Sequence, residues 1–226
     1  VISISLTPEL TYDTEALLSG VRSSQADVTI ICSPNNPTGC VMEASDLAAL
    51  LEASPGLVVV DEAYFEFSGQ TAVPLLARYP NLIVLRTFSK AMALAGLRVG
   101  YLLAEPDLVR EVAKAVLPYN LNTVSQTAAE VAVEMFASKL APLVQAICSE
   151  RDRLYAELKR IPGLTPVPSR ANFMVVRSQL EPHYVFNQLL QRDILIRDVS
   201  KYPLLQEYFR VSVGTPDEND FLLAAL

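Results

Sequence analysis

The feature that most constrains the fold is a set of short apolar runs in the first half of the chain, separated by longer helical patterns. We interpret as strands the runs Asp27–Cys32, Leu57–Val60, Asn81–Arg86 and Val99–Leu103. Leu57–Val60 (LVVV) has no polar alternation, which is typical of a strand covered on both faces. Strands that alternate with helices indicate βαβ units, so we predict an α/β fold with a mostly parallel sheet and helices on both faces.

The second half of the chain has longer amphipathic stretches and shorter strand patterns. The patterns predict helices over Leu108–Leu117, Thr123–Phe136, Lys139–Arg160 and Pro182–Arg192, and strands over Asn172–Val176, Ile194–Arg197 and Phe209–Val213. Thr215 and Glu218 form a capping-box pattern, which predicts one more helix. We therefore predict a large domain over residues 1–135 and a smaller C-terminal α+β lobe, with a long connecting helix, over residues 136–226.

Both ends of the sequence suggest a fragment of a longer chain. Val1–Leu6 alternates like a strand but has no lead-in, and the final helix reaches only about two turns before Leu226. We expect the large domain to be incomplete at its N-terminus and the small lobe to be incomplete at its C-terminus.

Charge and composition exclude several classes of protein. The net charge is −7, from 18 basic and 25 acidic residues, which argues against binding to nucleic acid or to an anionic membrane. No uninterrupted apolar run approaches the length of about 18 residues that a membrane span needs, and the start lacks the pattern of a signal peptide. Cys32, Cys40 and Cys148 form no disulfide framework, so we expect a reducing, cytoplasmic location. The single histidine, His183, excludes a histidine-rich metal site.

Polar motifs follow three of the predicted strands. Ser33–Gly39 (SPNNPTG) follows the first strand, Asp61–Tyr64 (DEAY) the second and Thr87–Lys90 (TFSK) the third, with Gly96–Gly100 (GLRVG) shortly after. Ligands of open α/β sheets bind at the carboxyl ends of the strands. The predicted edge therefore offers an amide, a carboxylate, a phenol, hydroxyls, a lysine and an arginine to one ligand.

These motifs, in this order, resemble those of the class I/II aminotransferases, which are fold-type I enzymes that use pyridoxal 5'-phosphate (PLP). The stretches NNPTG, FSKAMALAGLRVG, PYNLN, ANF and FRVSVGT are most similar to the histidinol-phosphate aminotransferase group. The resemblance spans nearly the whole chain but lacks the family's N-terminal part. In the family, that part supplies a glycine-containing phosphate loop, the aromatic residue that stacks on the PLP ring, and a tyrosine that reaches across from a partner subunit. The resemblance implies a homodimer in the full-length parent.

The resemblance also implies roles around the PLP ring. Lys90 matches the catalytic lysine that holds PLP as a Schiff base and moves protons. Asp61 matches the carboxylate that keeps the pyridine nitrogen protonated. Tyr64 and Asn36 match the residues that bond the 3-oxygen of the ring, and we expect Asn36 to contact the substrate as well.

The resemblance also implies which residues bind the anionic groups of the cofactor and of the substrate. Thr87, Ser89 and Arg98 match the positions that bind the PLP phosphate, where an arginine offers bidentate geometry. Arg210 matches the arginine that binds the carboxylate or phosphate of the substrate. Arg197 falls where the histidinol-phosphate group carries another arginine, so we expect it to contact the substrate phosphate.

The resulting expectation is transamination of histidinol phosphate, with 2-oxoglutarate as the acceptor, in histidine biosynthesis. The substrates are then a small-molecule amine and a 2-oxo acid. The same residues would serve a decarboxylase of an amino-acid phosphate or an aromatic aminotransferase. A third hypothesis is a non-catalytic α/β module without a cofactor. In that case Lys90 is a solvated lysine, Asp61 a helix cap or turn residue, and Arg98 part of a structural ion pair.

Overall fold

The first of two four-stranded sheets lies in the N-terminal half of the chain, in a computed structural model that describes residues 1–226. Its strands, in the spatial order β1-β2-β3-β4, are β1 (Val28–Cys32), β2 (Leu57–Asp61), β3 (Leu82–Thr87) and β4 (Gly100–Ala104). β1, β2 and β3 are parallel, and β4 is antiparallel to β3. The predicted α/β fold with a mostly parallel sheet is confirmed.

Two helices of this half of the chain, the first and the second, pack together on one face of this sheet. The helices of this half are α1 (Thr14–Ser24), α2 (Ala44–Ala53), the short α3 (Phe65–Ser68) and α4 (Pro106–Ala113). Leu47 and Leu50 of α2 belong to one buried cluster with Val58 and Val60 of β2. On β1 the opposite face is more open, since Ile30 is 70% exposed.

The second sheet forms the C-terminal lobe and is entirely antiparallel. Its strands, in the order β5-β6-β8-β7, are β5 (Leu164–Pro166), β6 (Phe173–Ser178), β7 (Arg197–Asp198) and β8 (Tyr208–Ser212). The helices α7 (Pro182–Leu190) and α8 (Pro216–Ala225) pack on it, and the predicted capping box at Thr215 is present. In the sequence, the first sheet precedes residue 135 and the second sheet follows it. The domain boundary at residue 135 remains a prediction.

One continuous helical segment, Thr123–Leu158, joins the two halves of the molecule. It comprises α5 (Thr123–Met135), a π-helical turn (Phe136–Leu140) and α6 (Ala141–Leu158). This segment is long and apolar enough to cross a membrane. Length and apolar composition are weak evidence, because the core helices of soluble proteins have them too. Four of its buried residues belong to apolar cores: Ala129 and Ala132 near the N-terminal sheet, and Leu154 and Leu158 in the C-terminal lobe.

Three local predictions were wrong. Val1–Leu6 forms no strand, and Val1 and Ile2 are exposed. Alternating apolar and polar residues indicate a possible strand, but a strand forms only where a neighbouring strand offers hydrogen-bond partners. The strand predicted over Ile194–Arg197 pairs only at Arg197–Asp198. The helix predicted over Leu108–Leu117 ends at Ala113, and Leu117 beyond it is 75% exposed because no core lies beneath it.

A close backbone contact joins the C-terminal lobe to the loop after β1. The amide of Arg170 donates to the carbonyl of Gly39 at 2.8 Å. Gly39 has a φ of +77°, and a Cβ there would lie 2.0 Å from Ser169 Oγ and 3.1 Å from Ser169 Cα. That hydroxyl is itself held, since it donates to the carbonyl of Phe173 and accepts from the amide of Ala171. Only glycine therefore fits this junction.

Replacing Gly39 by alanine should destabilise the protein more than the same change at Gly69. Gly69 also has a positive φ, +70°, but no atom lies within 4 Å of the added Cβ. We expect Gly39→Ala to lower the free energy of unfolding by about 2–4 kcal/mol, and Gly69→Ala by about 1 kcal/mol. Denaturant titration of both variants measures the difference, and equal losses would contradict the steric argument.

Glu66, on α3, is a half-buried acid with one buried oxygen, Oε2, that lacks a hydrogen-bond partner. Burial raises the pKa of its carboxyl to about 7, against the opposing effect of the Arg86 charge and with a further increase from Glu62. The folded state thus binds this proton more tightly than the unfolded state does. Stability from this group is present below pH 4.5 and is lost as the pH rises toward 7.

Glu66→Gln should flatten this part of the pH dependence. At about pH 8 we expect the variant to exceed the wild type by about 1–2 kcal/mol in the free energy of unfolding, after allowing for solvent screening. At about pH 4 the two proteins should be equal within about 0.5 kcal/mol. Denaturant titrations at both pH values test this, with the exposed Glu111→Gln as a control. A difference that does not depend on pH would count against the shifted carboxyl.

Candidate active site

The carboxyl ends of β1, β2 and β3 lie side by side and bring the three polar motifs to one edge of the sheet. Asp61, the last residue of β2, is in register with Cys32 of β1 and with Leu85 of β3. Ser33 continues the ladder by donating its amide to the carbonyl of Asp61 at 2.9 Å. The loops that begin at Ser33, Glu62 and Phe88 therefore start next to one another.

Three predicted residues form a connected polar chain at this edge. Asn36 Nδ2 donates to the hydroxyl of Tyr64 at 3.5 Å, and Asn36 Oδ1 accepts from Arg210 Nη1 at 2.7 Å. Tyr64 is buried and stacks edge-on against Phe173, with ring centroids 5.1 Å apart. The guanidinium of Arg210 lies 4.8 Å from the centroid of that same Phe173 ring. The C-terminal lobe thus contributes directly to the edge of the N-terminal sheet.

Lys90 lies close to this chain. Its Nζ is 5.3 Å from the ring centroid of Tyr64, and the side chain is exposed. Asp61 is half-buried, and its Oδ1 accepts from the amide of Ala63 at 2.9 Å, which leaves Oδ2 available to a ligand. An amine, a phenol and a carboxylate are therefore available at one end of the sheet.

Hydroxyl groups cluster at the turn after β3. Thr87 Oγ1 donates to Ser89 Oγ at 2.9 Å and accepts from the amide of Ser89 at 3.0 Å. Arg98, in a left-handed conformation with φ of +56°, comes to the same turn because the carbonyl of Val99 accepts from the amide of Phe88 at 3.1 Å. Arg98 is exposed, and one of its N–H groups donates to the carbonyl of Ala95. The hydroxyls and the remaining guanidinium donors suit an anionic group.

The two predicted substrate arginines are neighbours on adjacent strands. Arg197 of β7 and Arg210 of β8 are direct partners in the antiparallel ladder. Burial lowers the pKa of Arg210, with a further decrease from the Arg197 charge and opposing effects of Tyr64 and Tyr202. Arg210 Nε is buried and has no hydrogen-bond partner. Arg197 is exposed. An anion bound beside the two guanidinium groups would offset the repulsion between their charges.

Several residues that shape this edge were missed by the sequence analysis. Tyr12 donates to the carbonyl of Cys32 at the end of β1, and burial raises the pKa of its phenol. Phe173 was noted only as part of the ANF motif, although its ring supports both Tyr64 and Arg210. Glu62 and Arg86 form a buried ion pair beside Asp61 and Thr87. The available signal was a second acid directly after Asp61, at the end of an otherwise apolar strand.

The donor set favours an organic cofactor over a metal ion. No group of three or more histidine, cysteine, aspartate or glutamate residues is placed to hold a metal. The side chains at the edge instead offer an amine, a phenol, a carboxylate and several anion-binding groups. These suit a flat heteroaromatic molecule that carries a phosphate.

Comparison with known proteins agrees with the resemblance seen in the motifs. The profile of the family described as aminotransferase class I and II matches residues 1–226. The histidinol-phosphate aminotransferase of Thermoanaerobacter pseudethanolicus is 40% identical over 226 residues, which are 100% of this chain and 63% of that protein. The chain therefore spans less than two thirds of that relative.

Two solved structures share the fold. The histidinol-phosphate aminotransferase from Sinorhizobium meliloti, in complex with pyridoxal-5'-phosphate, is 30% identical with a TM-score of 0.88, covering 100% of this chain and 62% of that one. The histidinol-phosphate aminotransferase from Clostridium acetobutylicum is 24% identical with a TM-score of 0.91, covering 98% of this chain and 68% of that one. The family match over the whole chain and these likenesses lead to one conclusion: the chain belongs to the aminotransferase class I and II family.

Proposed function

We propose that the protein transfers amino groups with PLP as its cofactor. The observation that carries the proposal is the position of Lys90, whose Nζ lies 5.3 Å from the Tyr64 ring at the edge of the sheet where Asp61 ends β2. Membership of the aminotransferase family and the PLP complex of the Sinorhizobium relative support it.

The residues present fit PLP group by group. Asp61 Oδ2 is available to the protonated pyridine nitrogen, while Tyr64 and Asn36 supply hydroxyl and amide groups for the 3-oxygen. Lys90 supplies an amine for the aldehyde. When bound, PLP provides an electron sink that stabilises negative charge on the substrate carbon. The ring needs its nitrogen to stay protonated for that task, and a carboxylate partner favours the protonated form.

Lys90 has two roles in this proposal. Its amine would hold the cofactor, and the free amine would act as the base that takes a proton from the substrate carbon and delivers it to a carbon of the cofactor. A positioned base of this kind contributes about 10²–10⁴-fold to the rate. The exposed position of Lys90 is consistent with an amine that must reach both cofactor and substrate.

The phosphate of PLP is assigned to the turn after β3. The Ser89 hydroxyl, which accepts from Thr87 Oγ1 at 2.9 Å, would donate to a phosphate oxygen, so that Thr87 and Ser89 bind the group together, and Arg98 would offset its charge. The short turn holds the hydroxyls in place, because the amide of Ser89 donates to Thr87 Oγ1 at 3.0 Å. Preorganised donors lose less entropy on binding than mobile ones do.

The substrate proposal is histidinol phosphate with 2-oxoglutarate as the amino acceptor, in histidine biosynthesis. Arg210 would bind a carboxylate or phosphate, Asn36 would orient it, and Arg197 would contact the phosphate of the amine. The names of the 40% identical relatives support this substrate. By the same resemblance we infer a homodimer in the full-length protein and a cytoplasmic location.

Lys90→Ala should abolish covalent attachment of PLP. The experiment is incubation of the chain with PLP, reduction with borohydride and location of the adduct by peptide mass spectrometry. Lys159→Ala is a matched control, because Lys159 Nζ also lies near a tyrosine ring, 5.7 Å from the centroid of Tyr155. We expect the adduct at position 90 in the wild type and in Lys159→Ala. A chain without an adduct at Lys90 would overturn the cofactor proposal and favour the non-catalytic module.

Arg210→Lys and Arg197→Lys should separate the two anion contacts. Losing the bidentate, half-buried contact of Arg210 should lower kcat/KM for both amine and 2-oxo acid by about 10–100-fold. Arg197→Lys should affect the phosphorylated amine alone, by about tenfold. Steady-state assays of amino-group transfer, with carbon dioxide release measured in parallel, check both variants. Release of carbon dioxide without amino transfer would instead identify a decarboxylase.

A further inference from the structure

A buried ion pair lies immediately behind two of the proposed cofactor-binding residues. We propose that Glu62 and Arg86 are positioning residues that fix the side chains of Asp61 and Thr87 toward PLP, an inference that rests on the proposed function. Each partner is the chain neighbour of one site residue: Glu62 follows Asp61, and Arg86 precedes Thr87. Neither residue has a proposed contact with the cofactor or the substrate.

The ion pair is tightly bonded and shielded from water. Arg86 Nε and Nη2 both donate to Glu62 Oε2, at 3.0 and 2.9 Å. The side chains are 13% exposed for Arg86 and 2% exposed for Glu62. A charge so deeply buried is costly to leave unpaired, so both partners are held where they meet.

Because of the geometry of the strands, this ion pair can fix the orientation of side chains on the opposite face of the sheet. Neighbouring residues of a strand point to opposite faces of the sheet. Asp61 is in register with Leu85, which is two residues before Thr87, so Asp61 and Thr87 share a face. Arg86 therefore points to the other face, where it meets Glu62, which directly follows β2 and continues its ladder by donating its amide to the carbonyl of Leu85 at 2.9 Å. A shift of either charged residue would rotate its neighbour away from the cofactor.

Two further contacts fix the pair from outside the strands. Thr71 Oγ1 donates to Glu62 Oε2 at 2.9 Å and accepts from Arg86 Nη2 at 2.7 Å, while the amide of Ala72 donates to Glu62 Oε1 at 2.5 Å. The guanidinium of Arg86 lies 3.5 Å from the ring centroid of Phe65, the residue after Tyr64. The segment from Glu62 to Ala72 thus forms a loop that the Glu62 carboxylate closes by accepting from the amide of Ala72. Tyr64 lies within this loop.

Hydrogen exchange tests this positioning role without a cofactor. The amide of Ala63 donates to Asp61 Oδ1, and the amide of Ser89 donates to Thr87 Oγ1, so their exchange reports the two side-chain orientations. In Glu62→Gln both amides should exchange at least tenfold faster than in Val58→Ala. Val58 is fully buried at the opposite end of β2, so its truncation lowers global stability without touching the ion pair. Equal exchange in the two variants would overturn the proposal.

PLP affinity supplies the second readout. We expect Glu62→Gln to weaken PLP binding about tenfold, because a small misplacement of supporting groups costs affinity of that order. Glu52→Gln is the matched control: Glu52 also bonds an arginine, Arg78, and a hydroxyl, that of Tyr79, but the Arg78–Glu52 pair is exposed. Its PLP affinity should equal that of the wild type. An equal loss in both variants, or none in Glu62→Gln, would overturn the positioning role.

The outcomes for the two proposals are distinguishable. A wild type that fails to bind PLP overturns the proposed function, while the exchange comparison still decides the role of the ion pair. If Glu62→Gln does not fold, Arg86→Lys replaces it, since lysine keeps the charge but loses the guanidinium's planar arrangement of donors. In that variant the amides of Ala63 and Ser89 should exchange faster than they do in Val58→Ala. Exchange rates no higher than those of Val58→Ala would contradict the proposal.

Discussion

The register of three parallel strands determines which side chains of this protein can meet. Backbone hydrogen bonds align Cys32, Asp61 and Leu85 across the sheet, so the loops that follow begin at one edge. No single contact between side chains would bring residues from positions 36, 64 and 90 together without that alignment. The amphipathic helix α2 supports it by burying Leu47 and Leu50 against the middle strand.

The second constraint is the junction between the sheet and the C-terminal lobe. Phe173 at the start of β6 supports both Tyr64 and Arg210, and buried Arg151 of α6 donates to the carbonyls of Phe67 and Ala171 on either side of the junction. The Gly39–Arg170 contact closes the same junction from the loop after β1. The edge of the sheet is therefore a composite surface, in which the lobe contributes a cation and an aromatic ring.

Much of this arrangement could be predicted from sequence because it depends on local patterns. Apolar runs identified β1 to β4, and the order of motifs after them identified the edge where Asn36, Tyr64 and Lys90 lie. The strand predicted at Val1–Leu6 failed, since alternation alone does not supply a pairing partner. The Glu62–Arg86 pair also escaped notice, because 24 residues separate its partners and only the register brings them together. Local sequence patterns thus predicted where the site lies. The contacts that hold its side chains in place depend on residues distant in the sequence, which those patterns do not reveal.

The bond between Asn36 and Arg210 has a consequence for molecular recognition. A free arginine side chain has many rotamers, and immobilising one costs up to about 2 kcal/mol of conformational entropy. Here one nitrogen of the guanidinium already donates to the Asn36 amide oxygen at 2.7 Å, and the guanidinium carbon lies 4.8 Å from the centroid of the Phe173 ring. Part of that entropy is lost on folding, before any guest molecule arrives. An incoming oxyanion would therefore meet a rigid receptor whose remaining donors are already oriented.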